Sequence, residues 1–381
     1  MADNSKDIEK WLKLINADGV GPVTFKKILS KCGSIDKALG ASAKELSEID
    51  GIGSRTAESI LRTRNNFDSS SELELADKLG VEIINFEDEK YPQLLKGIYD
   101  PPPVLYIKGT LTKADNMALA IVGARRCSLY GQEQATRLAH LLSSAGFTIC
   151  SGLARGIDSA AHTGALAAGG RTIAVLGCGL SIVYPEENKK LFEQVSRSGA
   201  CVSELPLRTE PLGENFPARN RIIAGLSLGT IVVEAGLNSG GLITAKFACE
   251  YEREVMAVPG KVDSPLSRGA HQLIKQGAKL VESVADVTDA LGYAGESVKE
   301  QVVSAARLAE KKMGVTLFDT GRLKLDDGEQ AVYDCLNGEP MHIEQIVEES
   351  GLQVGSINSA LISLQLKGAV KQLPGSFYIK R

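Results

Sequence analysis

The sequence predicts an α/β fold built on a doubly wound parallel sheet, and three observations lead to that prediction. Short apolar runs alternate with segments of helical periodicity between residues 117 and 291. The runs are continuously apolar, which is typical of parallel strands that helices cover on both faces. Most of them end in glycine-rich turns, and ligands of such sheets bind beyond the carboxyl ends of the strands. The expected strands are 119–122, 147–150, 172–176, 200–203, 230–234, 255–258 and 279–282.

Length and composition limit what else the chain can be. With 381 residues, two or three domains are expected. The 43% hydrophobic content indicates a soluble protein, no apolar run reaches the about 18 residues of a membrane span, and the polar N-terminus is not a secretory signal. The seven cysteines form no C-x-x-C pair, so we expect reduced, mostly buried thiols and a cytoplasmic location. Because the net charge is −4, any nucleic acid must bind in a local basic pocket.

Residues 1–67 are expected to form a small helical domain with a net charge of +2. A helix, the turn Gly51-Ile52-Gly53 and a second helix over 54–64 resemble the SAM/helix-hairpin-helix motif, in which turn amides meet a DNA phosphate. The alternative interpretation is a helical packing module with tight glycine turns. Next along the chain, 81–86 is expected to be a strand, and the three prolines at 101–103 favour an extended entry into a further strand. We assign 68–292 to a single sheet domain.

A strand–loop–helix unit occurs twice between Leu119 and His162. The first strand ends in Gly123-Ala124-Arg125-Arg126, and Ser128 is the expected N-cap of the following helix. The second strand ends in Ser151-Gly152 and leads into a helix. In each unit a glycine precedes a helix N-terminus. The unpaired backbone N–H groups there and the positive end of the helix dipole both favour an anion. The repeated unit therefore predicts phosphate binding.

Several common sites are excluded by pattern. No G-x-G-x-x-G fingerprint opens the first unit, and the chain has neither a P-loop nor a G-x-S-x-G elbow, so we expect no nucleotide cofactor and no catalytic nucleophile. The four histidines form no metal-binding pattern with cysteine or glutamate, so no metal is expected. His162 is interpreted as a packed or capping histidine.

Four motifs occur in the order that is typical of one known protein family, and they cover roughly residues 80–292. They are Ser151-Gly152-Leu153-Ala154-Arg155-Gly156-Ile157-Asp158, then Phe216-Pro217-Ala218-Arg219-Asn220-Arg221, then Val233-Glu234-Ala235 with Ser239-Gly240-Gly241-Leu242-Ile243-Thr244, and Ala257-Val258-Pro259-Gly260. The chain resembles the DprA/Smf family of DNA-processing proteins, although Gly241 stands where the family usually has serine. The resemblance implies an extended Rossmann domain that binds single-stranded DNA, forms a homodimer, and loads a RecA-type recombinase onto strands coated by single-strand-binding protein during natural transformation.

The resemblance also implies a DNA-binding site with four walls and little sequence preference. Its residues are Gly123, Arg125 and Arg126 in a first phosphate clamp; Ser151, Gly152 and Leu153 as amide donors; Arg219, Asn220 and Arg221 in a third wall; and Ser239, Gly240 and Thr244 in a fourth. Phe216 is the best candidate for base stacking. Arginine suits such a site because its planar fork grips phosphate and stacks on bases. The alternative is that the third-wall arginines only pair with Glu204, Glu210 or Glu214.

The C-terminal region is expected to be a linker over 293–327 and a winged helix over 328–381. Three helical segments and a hairpin around Pro374-Gly375 carry the winged-helix resemblance. The net charge of 328–381 is −2, and its third helix holds one lysine, at its end. We therefore expect it to contact protein rather than to read DNA.

The sequence supports two further hypotheses. The same sheet variant resembles nucleotide-cleaving phosphoribohydrolases, with Glu234 and Arg219 as remnants of their site, although their P-G-G-x-G-T-x-x-E run is missing. An assay for nucleoside monophosphate hydrolysis separates this enzyme from the DNA-binding protein. The expected dimer surface lies near His271, Leu273 and Ile274.

Overall fold

The computed structural model describes residues 2–292, 325–337, 339–366 and 369–380. The chain divides into two compact units, Met1–Arg307 and Leu308–Arg381. Most of the predicted linker, residues 293–324, lies outside the described residues. The predicted fold class is confirmed in both units.

The first unit begins with six helices. Trp11 stacks on Phe25 with ring centroids 5.0 Å apart, and the hydrophobic cluster around this pair continues onto the first sheet strands through Val81 and Tyr106. The helical region and the sheet therefore share one core. The helices are α1 Ala2–Ile15, α2 Pro22–Cys32, α3 Ile35–Gly40, α4 Ala43–Ser47, α5 Ser54–Asn66 and α6 Ser70–Leu79.

A nine-stranded sheet forms the centre of this unit, and all seven predicted strands belong to it. The strands are β1 Val81–Asn85, β2 Val104–Gly109, β3 Ala118–Val122, β4 Thr148–Ser151, β5 Thr172–Val175, β6 Ala200–Ser203, β7 Gly229–Val232, β8 Glu254–Ala257 and β9 Lys279–Leu280. Their order is β1-β2-β6-β5-β4-β3-β7-β8-β9. β3 to β9 are joined by parallel pairings, whereas β1 pairs antiparallel with β2, and β2 with β6. The sheet thus grows from β3 towards β6 on one side and from β7 towards β9 on the other. The boundary between β3 and β7 is a topological switch point, where such sheets bind ligands.

Helices cover both faces of the sheet. In β5, Ile173 and Val175 enter one hydrophobic cluster and Ala174 the other, as alternation along a strand requires. No described helix combines the length and apolar composition that a membrane span needs. The helices are α7 Gln93–Lys96, α8 Leu129–Ser144, α9 Ile157–Ala167, α10 Lys189–Ser198, α11 Asn215–Gly225, α12 Gly240–Glu250, α13 Arg268–Lys275 and α14 Val284–Ala290, with 3-10 turns at Lys113–Met117 and Glu186–Asn188.

The second unit is a winged helix, as expected. Its elements are α15 Asp327–Cys335, β10 Met341–His342, α16 Ile343–Ser350, α17 Val354–Leu366, β11 Val370–Leu373 and β12 Phe377–Lys380. The strands form an antiparallel sheet in the order β10-β12-β11. Ile357, Leu361 and Leu364 of α17 are buried in one cluster with Val332 and Tyr333 of α15.

All seven cysteines are free thiols. Cys150, Cys178 and Cys201 are buried, and burial raises their thiol pKa. The expectation that most would be buried is wrong, because Cys249 is exposed and the remaining three are half-buried.

Candidate functional site

An open cavity of about 990 Å³ lies beyond the carboxyl ends of β3 and β7, at the switch point of the sheet. Its lining comes from segments that are far apart in the chain. These are residues 122–126 after β3, Ala154 and Asp158, Tyr184, 211–223 around the start of α11, 236–244 at the start of α12, and 265–268 at the start of α13. Eight of the twelve predicted site residues meet here: Gly123, Arg125, Arg126, Arg219, Asn220, Ser239, Gly240 and Thr244.

The lining is strongly cationic. Four arginines contribute to it, Arg125, Arg126, Arg219 and Arg268, whereas Asp158 carries its one carboxylate among the residues that the structure describes. The whole chain has a net charge of −4. The cavity is therefore a local basic site in an acidic protein. Such a site attracts the phosphates of a polyanion.

Three of these arginines are exposed: Arg125, Arg126 and Arg268. Within the described ranges, no ion pair joins any of them to a carboxylate, and the Arg125 guanidinium lies 4.9 Å from the centroid of the Phe216 ring. Their guanidinium groups are thus available to an anionic ligand. Sequence reasoning missed Arg268, although its place shortly after the end of β8 was a usable signal.

Arg219, by contrast, is 5% exposed and committed to the protein itself. Its Nη1 donates to the carbonyl oxygen of Gly152 at 2.8 Å and to that of Val175, and its Nε donates to Asn220 Oδ1 at 3.2 Å. Burial lowers the pKa of this guanidinium, and the nearby Asp158 carboxylate opposes that shift. Arg219 thus joins α11 to the segments after β4 and at the end of β5, and it adds positive charge to the cavity wall.

In the turn between β4 and α9, one of the three predicted amide donors, Gly152, is already bound within the chain. Asp158 Oδ2 accepts the N–H groups of Gly152 at 3.1 Å and Ala154 at 3.3 Å, so the chain supplies its own anion at this helix N-terminus. Burial raises the pKa of this carboxyl, while Arg219 and the two amides pull it down. A Cβ atom on residue 152 would lie 2.6 Å from Arg219 Nη2 and from Asp158 Oδ2, which leaves room for glycine alone.

Ser151 and Leu153 are likewise turned inward. The Ser151 hydroxyl donates to the carbonyl oxygen of Ile121 at 2.7 Å, and Leu153 is fully buried with a φ of +56°. Together with Gly152 they lie outside the described lining of the cavity. The Gly152 amide is therefore not a free donor, because Asp158, which sequence analysis left out of the site, accepts its N–H. Ser151 and Leu153 as amide donors stay a prediction.

Arg221 is also placed differently from the prediction. It is buried, its guanidinium forms an ion pair with Glu204, and its Nη1 donates to the carbonyl oxygen of Asp100 at 2.6 Å. Pairing with Glu204 was the alternative interpretation, and it describes this side chain. Asn220 does reach the cavity, where its Nδ2 donates to the carbonyl oxygen of Gly240 at 3.2 Å.

The N-terminus of α12 forms the fourth wall. Ser239 is the N-cap, and its Oγ accepts the N–H of Gly241 at 3.4 Å. Ser239, Gly240 and Thr244 all line the cavity, with Thr244 almost fully buried. A ligand anion here would face the positive end of the helix dipole.

Two residues considered for chemistry have structural roles. Glu234 accepts the backbone N–H of Ser128 at 2.8 Å and its hydroxyl at 2.6 Å, so the carboxylate caps α8 behind the cavity lining. His162 is fully buried, its Nδ1 lies 2.7 Å from Thr172 Oγ1, and burial lowers its pKa to about 3. The packed interpretation of His162 agrees with these contacts.

Comparison with known families gives three matches along the chain. The model of DNA recombination-mediator protein A matches residues 82–292, that of the DprA winged helix domain matches 321–376, and that of the SAM-like helix-hairpin-helix tandem matches 12–65. The first match spans the whole sheet region that contributes to the cavity.

Individual relatives are similar over most of the chain. Protein Smf of Synechocystis is 35% identical over 390 residues, which cover 97% of this chain and 98% of the relative. The DNA processing protein DprA of Streptococcus pneumoniae is 46% identical over 200 residues, covering 52% and 71%. The X-ray structure of DNA processing protein A from Streptococcus pneumoniae superposes with a TM-score of 0.64 at 37% identity, covering 74% of this chain and 95% of that one.

Proposed function

The chain belongs to the DprA/Smf family of DNA-processing proteins, and on that premise we propose that it is a recombination mediator that binds single-stranded DNA in the cavity beyond the sheet. The observation that carries the proposal is the group of three exposed arginines around this cavity. Proteins that hold single strands without sequence preference do so with a positively charged groove that follows the phosphates. In this chain the groove sits beside a helix N-terminus that adds further positive potential.

The contacts divide between the walls. Gly123, Arg125 and Arg126 would form the first phosphate clamp, and Ser239, Gly240 and Thr244 would receive the next phosphate at the start of α12. Arg268 adds a cation that the sequence did not indicate. Asn220 would face the bound DNA strand, while Arg219 stabilises the cavity wall beneath that DNA.

The family membership supports a wider role as well. A mediator must pass its strand to a recombinase, so we infer that this protein loads a RecA-type recombinase onto strands coated by single-strand-binding protein, in the cytoplasm, during DNA uptake. Recombinase filament assembly on coated strands, measured with and without the protein, tests this step. The homodimer near His271 and Ile274 stays a prediction that sedimentation tests, and Leu273 packs partly against the core of its own unit.

We further propose that the protein has no catalytic activity of its own. The nucleotide-cleaving alternative relied on Glu234, whose carboxylate caps α8, and on Arg219, whose donors hold backbone carbonyls. Asp158, the carboxylate in the described lining, accepts two amides. Release of base from a nucleoside monophosphate would contradict the proposal.

The decisive experiment is fluorescence-anisotropy binding of an oligo-dT strand and of a matched duplex across a salt series. We expect preference for the single strand and strong weakening by salt. Replacing both Arg125 and Arg126 by alanine should reduce the slope of log K against log salt by about 1.4, because each lost phosphate contact on a single strand removes about 0.7. Arg197→Ala, an exposed arginine in the last turn of α10, is the matched control. Preference for the duplex, or an unchanged slope in the double variant, would contradict the assignment.

A further inference from the structure

A second cavity, of about 270 Å³, lies between helix α2 and the segment that joins β1 to β2. It shares no described lining residue with the cavity beyond β3 and β7, and we call it the N-terminal cavity. Cavities that bind drug-sized ligands measure about 300–1,000 Å³, so this one suits a smaller molecule. Its walls are mainly apolar, and they include Trp11, Phe25, Leu29, Phe86, Pro101 and Pro103.

Three aromatic side chains enter these walls, each from a different element. Trp11 comes from α1, Phe25 from α2, and Phe86 from the first position after β1. Trp11 is 1% exposed, and among the described residues its indole N–H has no hydrogen-bond partner. A buried indole N–H usually has such a partner, so an acceptor on a bound ligand would satisfy it.

Two opposite charges stand at the rim of the N-terminal cavity. Lys26 and Glu87 are both exposed, and both contribute to the lining. Within the described ranges neither side chain forms an ion pair, with the other or with any further residue. Lys26 Nζ donates to the carbonyl oxygen of Tyr99 at 3.5 Å, which leaves two of its three N–H groups for a ligand. The cavity thus combines an apolar interior with a cation and a carboxylate that are both open to a ligand.

We propose that the N-terminal cavity binds a free amino acid with an aromatic side chain. Its ring would lie against the aromatic walls, its carboxylate would face Lys26, and its ammonium group would face Glu87. Such a zwitterion carries one apolar group and two opposite charges, which is the complement of this cavity. The ligand would join α2 to the segment between β1 and β2, so it should also raise the melting temperature of the protein. The inference does not rest on the proposed function.

The test uses L-phenylalanine as the probe and the intrinsic fluorescence of the protein as the signal. The chain contains a single tryptophan, Trp11, so tryptophan emission reports on this cavity alone. Excited where phenylalanine does not absorb, the emission should change in a saturable way as the probe is added. We expect a Kd of about 1 mM or lower, as the affinity per atom of small ligands allows.

Two further probes separate the charges. Phenethylamine lacks the carboxylate, and 3-phenylpropionate lacks the ammonium group. Each should bind about threefold more weakly than L-phenylalanine, which is the effect of one exposed ion pair. Lys26→Met should remove the difference between L-phenylalanine and phenethylamine, and Glu87→Gln should remove the difference from 3-phenylpropionate. Lys31→Met, an exposed lysine in the last turn of α2 outside the described lining, is the control and should change neither difference.

Three results would overturn the proposal. The first is an emission of Trp11 that stays constant at ten times the expected Kd. The second is equal binding of all three probes by the unmodified protein, since the rim charges would then recognise nothing. The third is binding of uncharged N-acetyl-phenylalanine amide in preference to L-phenylalanine, which would assign the N-terminal cavity to a peptide of a partner protein. None of these results bears on DNA binding in the cavity beyond β3 and β7.

Discussion

The cavity is bounded by two segments that each carry a pair of arginines, and the pairs differ in what they contact. Arg125 and Arg126, in the turn after β3, are exposed and have no described carboxylate partner. Arg219 and Arg221, in α11, are each 5% exposed and bind carbonyl oxygens or carboxylates of the chain. One pair is therefore available to a ligand, whereas the other builds the wall against which the ligand would lie.

The difference follows from where the two segments lie in the fold. A turn at the carboxyl end of a parallel strand leaves the sheet and reaches solvent, so its long side chains extend outward. Residues 219–225 of α11 are all buried, so an arginine there must find partners inside the protein. Burying a charge without such partners costs several kcal/mol.

The largest effect on stability is expected for Arg219→Ala. We expect it to lower the free energy of unfolding by about 3 kcal/mol, because it leaves the buried Asp158 carboxylate without its cation and two carbonyl oxygens without donors. Urea unfolding followed by circular dichroism measures the effect. Arg126→Ala is the control, and its stability should stay within about 0.5 kcal/mol of the unmodified protein. Equal losses in the two variants would remove the distinction between the segments.

A medium effect is expected at Arg221. Arg221→Met should lower the free energy of unfolding by about 2 kcal/mol, because the half-buried Glu204 carboxylate then loses its cation. Adding Glu204→Leu should restore most of the loss, since replacing both members of a buried pair by apolar residues is often nearly neutral. Asp100 keeps a partner in this double variant, because the Tyr251 hydroxyl donates to it at 2.5 Å.

The same double variant also sharpens the functional side of the comparison. If Arg221 only supports α11, the salt dependence of oligo-dT binding should match that of the unmodified protein. If the slope of log K against log salt fell by about 0.7, Arg221 would be one of the phosphate contacts, as the sequence predicted.

The fold could be predicted from sequence because it depends on local signals, and for the same reason eight of the twelve predicted site residues line the cavity. Continuous apolar runs define the seven parallel strands, and the glycine turns that follow them define the edge where the cavity opens. The antiparallel addition of β1 and β2 depends on pairing between β2 and the distant β6, which no local pattern records. The direction of an arginine side chain is equally non-local, since Glu204 and Asp100, far away in sequence, decide where Arg221 lies.

The smallest expected effect concerns the ligand-facing side alone. Gly241 lies in the first turn of α12, and a Cβ atom added there would be 3.2 Å from the Cα atom of Gly123, so the neighbouring turn must move by a few tenths of an ångström. Gly241→Ser should gain about 0.5 kcal/mol from helix propensity, which offsets that tight contact, so the free energy of unfolding should change by less than about 1 kcal/mol. The new hydroxyl adds a donor at the positive end of α12, where a phosphate is expected, so oligo-dT affinity should rise about threefold. Gly241→Ala, which adds the same Cβ atom without the hydroxyl, is the matched control for helix stabilisation. An affinity gain of the same size in both variants would show that helix stabilisation, rather than the hydroxyl at position 241, causes it.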